Sequence, residues 1–437
     1  MSGMGFTMAR HLLSRTGFGG RPREIVEMAN RSWQTGIDTL VGGIRTTHIV
    51  TAPTWVKDHP PAPTGDRAVR RERRKLWREQ GRELQAWWMT EMLQTPSPMT
   101  ERLVLMWHNH FTSSLRKARW APLMYRQNQT LRRHAAGNFR NLLGAIVRDP
   151  AMLVYLDNTR NRAGHPNENL ARELLELFTL GIGNYTERDV REVARVLTGM
   201  HVDRRTGQPV FRQRRHDHGV KTVLGRRGHF TVDDLPELIL QRTQAAEHIA
   251  SRVYREFVGV APDRAERRRL GQVFTDADFE ILPLLKAVLN APGFVTKTNI
   301  GTLVRSPIDL LIATHRTLQL SVSDAVALAR ASGRLGQAPM QPPNVKGWPG
   351  GTAWIQAATV LGRHAVVCRI LRGMERAFPT WDRVHRWLGS PNLSRAELME
   401  TSRRVLVPVP LVTRVSQPRT PIDMFEHVML DPTFQLS

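Results

Sequence analysis

The stretch Ser97 to Phe111, SPMTERLVLMWHNHF, is apolar on every side once wound into a helix. A helix of that kind has to be wrapped by other elements, so it belongs inside a multi-layered core. Thr100 is its expected N-cap. Helical periodicity dominates the rest of the chain as well. A short helix over 8–15 closes at GFGG, and an amphipathic segment follows over 22–40. Residues 46–65, TTHIVTAPTWVKDHPPAPTG, are proline-rich and read as a loop. A long charged helix is expected over 66–93, with Leu84, Trp87 and Trp88 available for packing. Others are expected over 120–135, 138–148 and 167–180, and Thr186 caps one more that ends at Gly199. From 201 to 225 the pattern changes. Thr206-Gly207 separates two extended runs and GVKTVLG adds a third, which reads as a small β-hairpin excursion. Helices resume over 232–320, and a loop dense in proline, glycine and tryptophan, GQAPMQPPNVKGWPGGTAWI, precedes a basic helical tail.

The expected class is therefore mainly α, as one large helical domain or two packed helical subdomains. Residues 1–45 supply N-terminal helices, 46–65 a loop, and 66–437 a helical core continuous with the first segment. A chain of 437 residues can bury a core of that size. No run of about 18 apolar residues occurs, so no membrane span is expected. The N-terminus lacks a secretory pattern, which makes the cytoplasm the default address. Cys368 stands alone, excluding an internal disulfide framework and a thiolate zinc site.

The formal net charge is +24, enough to attract nucleic acid or another polyanion without specificity. Lysine occurs only at 57, 75, 117, 221, 286, 297 and 346; the remaining bases are arginine, a skew that a GC-rich genome alone would produce. The densest clusters are Arg70 to Lys75 and Arg212 to His216. No zinc-finger, RNA-binding-sheet or clear helix-turn-helix signature accompanies them.

Three stretches carry residues suited to chemistry. In NENLARELLELFTLG, residues 167–181, a helical wheel puts Glu168, Asn169, Arg172, Glu173 and Glu176 within one arc of about 140°. Ordinary ion pairs at i,i+4, Glu168–Arg172 and Arg172–Glu176, account for that arc without any site. In WHNHF, His108 and His110 point about 160° apart on a straight helix but lie on one side of extended backbone. They are either satisfied core histidines or metal ligands or bases. In HDHGVK, His216, Asp217 and Lys221 bring imidazole, carboxylate and ammonium together at the edge of the hairpin region, where they form either an anion or metal site or a solvated turn. Trp348 and Trp354 in the GWPGG loop are more simply packing than stacking residues. Phosphate-cradling, dinucleotide, nucleophile-elbow and HExxH patterns are all missing.

Taken in order, HLLSRTGFG, MTERLVLMWHNHF, the run MLVYLDNTRNRAGHPNENLARELLELFTLGIGNYTERDVREVARVLTG, HDHGVKTVLG, RSPIDLLIA and PPNVKGWPGGTAWI make the chain resemble the bacterial family catalogued as Domain of Unknown Function 1800. The resemblance implies a mainly helical fold and no assigned reaction. Its characteristic polar residues fall on His108, His110, Glu168, Asn169, Arg172, Glu173, Glu176, His216, Asp217 and Lys221. Relatives commonly read LELHTLG where this chain has Phe178. The resemblance also implies a protein partner from a companion family, Domain of Unknown Function 1501, which looks like the alkaline phosphatase and sulfatase fold. Many relatives carry an export signal, a feature not seen here.

The leading expectation is a metal-dependent enzyme, hydrolytic or redox. His108, His110 and Glu173 would hold a divalent zinc, iron or manganese ion, with Glu176 as base and Arg172 as anion clamp. The alternatives are a non-catalytic helical scaffold for the companion protein and a basic polyanion or nucleic-acid binder.

Overall fold

The computed structural model describes residues 3–62, 64–413 and 418–437. Among these are twenty-two α-helices and two separate two-stranded antiparallel sheets. No helix is long and apolar enough to cross a membrane among the described residues. One connected hydrophobic cluster runs from Ala9 to Phe434.

The apolar segment forms the helix Pro98–His110, and every residue from Met99 to His108 is buried. It begins two residues before the expected cap. Pro98 takes the first turn, where a missing N–H costs nothing, and Ser97 occupies the cap position. Thr100 instead accepts from the Arg45 N–H at 3.0 Å, fastening the preceding loop. The 22–40 segment is likewise two helices, Pro22–Ala29 and Trp33–Gly42, because Ser32 accepts from the Thr35 N–H and starts a new one. The charged helix Arg67–Gln94 is capped by Asp66; its first half stays exposed while Leu84, Trp87, Trp88 and Met92 enter the core.

Buried charge ties these helices together. Arg132, on the helix Ala121–His134, lies fully out of water with its guanidinium forked onto both oxygens of Glu101. The Trp88 indole N–H also donates to Glu101, at 3.0 Å. Glu91, 4.0 Å from Arg132, accepts from the N–H groups of Ile49 and Val50, and so straps the proline-rich loop to the core.

The strand-like region is two hairpins, where the sequence pattern suggests one. Met200–Val202 pairs with Pro209–Phe211, closed by a turn in which Asp203 accepts from the N–H groups of Arg205 and Thr206. Gly207 is required there: its φ is +66°, and a Cβ would sit 2.3 Å from the Trp120 ring. The third run, Lys221–Val223, folds back on Arg226–Gly228 through Leu224 and Gly225, both at positive φ as tight hairpin turns demand.

Candidate functional site

The helix Asn169–Glu176 has barely two turns and buries Leu170, Ala171, Leu174 and Leu175. Arg172, Glu173 and Glu176 lie half-buried on the opposite side, and Asn169 is exposed. Arg172 pairs with Glu168 at 3.0 Å, and its fork reaches Glu187 on the next helix at 2.7 and 2.8 Å. That second contact takes the place of the expected Arg172–Glu176 pair, because Glu187 at the start of the helix Glu187–Val196 presents both oxygens to the guanidinium. Glu176 instead accepts from the Tyr185 hydroxyl at 2.6 Å. Burial, and then the neighbouring Glu176, push the Glu173 carboxyl above its ordinary range, while Arg172 and Lys346 pull the other way.

The structure does not bring His108, His110 and Glu173 together as one ligand set. The helix continues through His110, so the two imidazoles leave opposite sides. His108 packs between Trp88 and Trp348, with ring centroids at 5.5 and 5.7 Å, and burial lowers its pKa to about 4. His110 bonds through Nε2 to the Phe178 carbonyl at 3.0 Å, and burial holds it well below the usual imidazole range. Among the described residues no three His, Cys, Asp or Glu side chains are grouped to hold a metal ion. Phe178 is fully buried against Phe111 and His110. A residue the sequence reading passed over, His248, lies 6.1 Å from His110 and bonds to the Leu177 carbonyl.

His216, Asp217 and Lys221 form a separate knot behind the 187–196 helix. Asp217 is gripped by the fork of Arg195 at 2.8 and 3.1 Å, which depresses its carboxyl. The buried Lys221 ammonium donates to the carbonyls of Asp217 and Gly219. His216 bonds to the Thr198 carbonyl at 2.9 Å. Each group is occupied in seating the second hairpin on its helix.

A different constellation converges around a cleft of about 340 Å³. The helix Phe6–Thr16 contributes Arg15; the 98–110 helix contributes Arg102, Leu105 and Asn109 from one face. Arg252, Arg255 and Glu256 come from the helix Thr243–Val258, and Asp309 from the start of Pro307–Thr317. The segment Trp348 to Trp354 closes the other side. Four of the six ordered sequence stretches thus meet here: HLLSRTGFG, MTERLVLMWHNHF, RSPIDLLIA and PPNVKGWPGGTAWI. Asn109 pins the closing segment by accepting from the Trp348 N–H at 2.7 Å. Gly347 crosses Asn109 at φ +83° with no room for a Cβ, which would fall 2.2 Å from the Asn109 amide oxygen.

Four guanidiniums face two carboxylates among the cleft's side chains. Arg102 bonds to Asp309 and to the Gly17 carbonyl, with Glu256 at 3.8 Å. Arg15 donates to the carbonyls of Val258 and Asn299, and burial, then Arg102, lowers its pKa to about 10. Arg252 has Glu256 at 3.7 Å and, among the described residues, no hydrogen-bond acceptor for Nη2; burial lowers its pKa more than Glu256 restores it. The Trp348 indole N–H and Arg15 Nε, both closed off from solvent, also find no acceptor. The signal available in the sequence was the i,i+4 pair Arg252–Glu256, which falls outside every quoted motif.

A family model described as "Protein of unknown function (DUF1800)" matches residues 11–436. Comparison with curated proteins gives no match, and neither does comparison with solved structures.

Proposed function

Starting from a chain that belongs to the DUF1800 family, we propose that the protein binds an organic oxyanion in the cleft between Arg15, Arg252 and the 348–354 segment. The observation that carries this reading is the unbalanced charge. A guanidinium nitrogen shut from water is costly unless an acceptor answers it, and Arg252, with 22% of its side chain exposed to the cleft, has none for Nη2 among the described residues. A carboxylate or phosphate head supplies two or more oxygens in the geometry a guanidinium fork prefers. The rest of the wall, Leu105, Leu303, Trp348, Pro349 and Trp354, is apolar and suits a carbon body attached to that head. At about 340 Å³ the cleft is large for a bare inorganic ion and falls in the range of small-molecule sites.

Titration calorimetry with phenyl phosphate, benzoate and inorganic phosphate tests this reading. The aryl anions are expected to bind more tightly than inorganic phosphate. Arg252→Gln and Arg255→Gln should each weaken phenyl phosphate about tenfold or more. Undiminished binding by both variants, or no heat with either aryl anion, would overturn it.

A second reading, the metal-dependent hydrolytic or redox enzyme, draws on two half-buried carboxylates one helical turn apart: burial first, and then Glu176, raise the Glu173 carboxyl. Elemental analysis after dialysis into trace zinc, iron and manganese tests it. Stoichiometric metal lost in a Glu173→Gln/Glu176→Gln variant supports it, and no retained metal removes it.

A further inference from the structure

The first hairpin and the turn facing it form an open groove of about 730 Å³. Six arginines line it: Arg160 and Arg162 from one segment, Arg204 and Arg205 from the hairpin turn, and Arg212 and Arg215 from the exit of the second strand. The single carboxylate on the wall, Asp203, is already engaged by the N–H groups of Arg205 and Thr206 and by the Thr206 hydroxyl. Among the described residues none of the six guanidiniums has an ion pair or hydrogen bond.

Genomic arginine enrichment does not account for this pattern. Several other surface arginines have acidic company. Arg140 meets Glu237 and Asp278, Arg267 meets Glu247, Arg269 meets Glu266 and Arg403 meets Glu400. On the outer face of the 67–94 helix, Glu72, Glu79 and Glu83 are interspersed among the arginines. The groove alone in that comparison gathers six positive charges against one negative charge. The field is felt locally: His201, on the groove wall, is shifted below its ordinary pKa by burial first and then by Arg212 and Arg215.

A single small anion would answer one or two of these arginines, so the arrangement calls for a chain of closely spaced charges. The surface is concave, built from three chain segments, which suits a strand better than a flat lipid surface. Arginine's planar fork matches phosphate oxygens. The exposed imidazole of His165, with the arginine planes around it, offers faces on which unpaired bases stack. We propose that this groove binds single-stranded nucleic acid through its phosphates, independently of the cleft described above.

The test is fluorescence anisotropy of a labelled mixed-sequence 12-nucleotide single strand with the full chain, from 50 to 300 mM NaCl. Arg204→Gln/Arg205→Gln/Arg212→Gln should weaken binding at least tenfold at about 100 mM salt. The slope of log affinity against log salt should fall by about 2, three lost phosphate contacts at roughly 0.7 each. Arg204 and Arg205 project from the turn held by Asp203, Arg212 is exposed just after the second strand, and none of the three guanidiniums bonds to the described residues, so the fold does not depend on them. Arg71→Gln/Arg74→Gln/Arg78→Gln removes the same charge from an exposed helix face and should change affinity less than twofold. His165→Ala should weaken binding about fivefold without altering the slope. Equal losses in the two triple variants would overturn the proposal in favour of net charge alone. So would tighter binding of a heparin oligosaccharide, or of phosphatidylglycerol vesicles, than of the oligonucleotide.

Discussion

Arg132 and Arg252 are both guanidiniums drawn away from water, and they differ in what meets them. Arg132 is fully buried with its fork on Glu101, whose carboxylate also takes the Trp88 N–H, while Glu91 is held by two backbone N–H groups nearby. Arg252 has one carboxylate at 3.7 Å, arginines 15, 102 and 255 lining the same cleft, and a nitrogen with nothing to donate to. In the first arrangement Nε of Arg132 lacks an acceptor but both terminal nitrogens are answered by Glu101, and the cluster joins three helices and a loop; among the described residues the Arg252 guanidinium makes no hydrogen bond at all. The second is incomplete in the protein alone. Chemistry-bearing residue types occur in both, so residue type does not separate structure from function here; the balance of donors and acceptors does.

Breaking the complete side should have the largest effect. Arg132→Met strands two carboxylates in the core and should cost on the order of 3–5 kcal/mol in denaturant unfolding. A loss under about 1 kcal/mol would mean that the cluster is not held by its pairing. Next comes Asp149, a buried carboxyl met by neutral donors, the Gln127 amide and the N–H groups of Met152 and Ala151, and raised by burial to about 7. A carboxyl whose folded pKa lies above its unfolded value contributes stability that is full below about pH 4 and is lost as pH rises through about 7. Asp149→Asn should therefore abolish that loss. The wild type, measured against the variant, should decline by roughly 2–4 kcal/mol between pH 4 and pH 8. A difference independent of pH would contradict the shift.

The incomplete side predicts smaller costs. Arg252→Gln removes a poorly answered charge and should change stability without ligand by about 1 kcal/mol or less, in either direction. The same change should cut the stabilisation that phenyl phosphate gives the wild type from about 2.7 kcal/mol, at one hundred times the wild-type dissociation constant, to about 1.4 kcal/mol or less. Arg172→Gln on the half-exposed carboxylate face should cost about 0.5 kcal/mol, in line with surface ion pairs. A loss above about 2 kcal/mol there would place Arg172 with Arg132 as a structural charge, against the sharing seen with Glu187.

Much of this fold is legible in the sequence, since periodicity and caps are local. Asp66, Thr186 and the all-apolar 98–110 segment each specify their element through neighbours a few residues away. The split at Ser32 and the early start at Pro98 escape a periodicity reading because single capping residues decide them. The site is less legible. The polar arc from Glu168 to Glu176 stands out in sequence and proves largely paired at the surface. The cleft is assembled from residues more than three hundred positions apart, and Arg15, Arg252 and Asp309 carry no mark of their proximity in any local window. Asn109 shows the limit well. It lies between the two conspicuous histidines of WHNHF, yet it is the residue that reaches the cleft and fastens the Trp348 segment.

The most direct test of the central claim is the anomalous diffraction of crystals grown with 4-iodophenyl phosphate. An iodine peak among Leu303, Trp348 and Trp354, with the phosphate within hydrogen-bonding distance of Arg252, is the predicted result. A peak elsewhere on the molecule, with the cleft holding no phosphate, would contradict it.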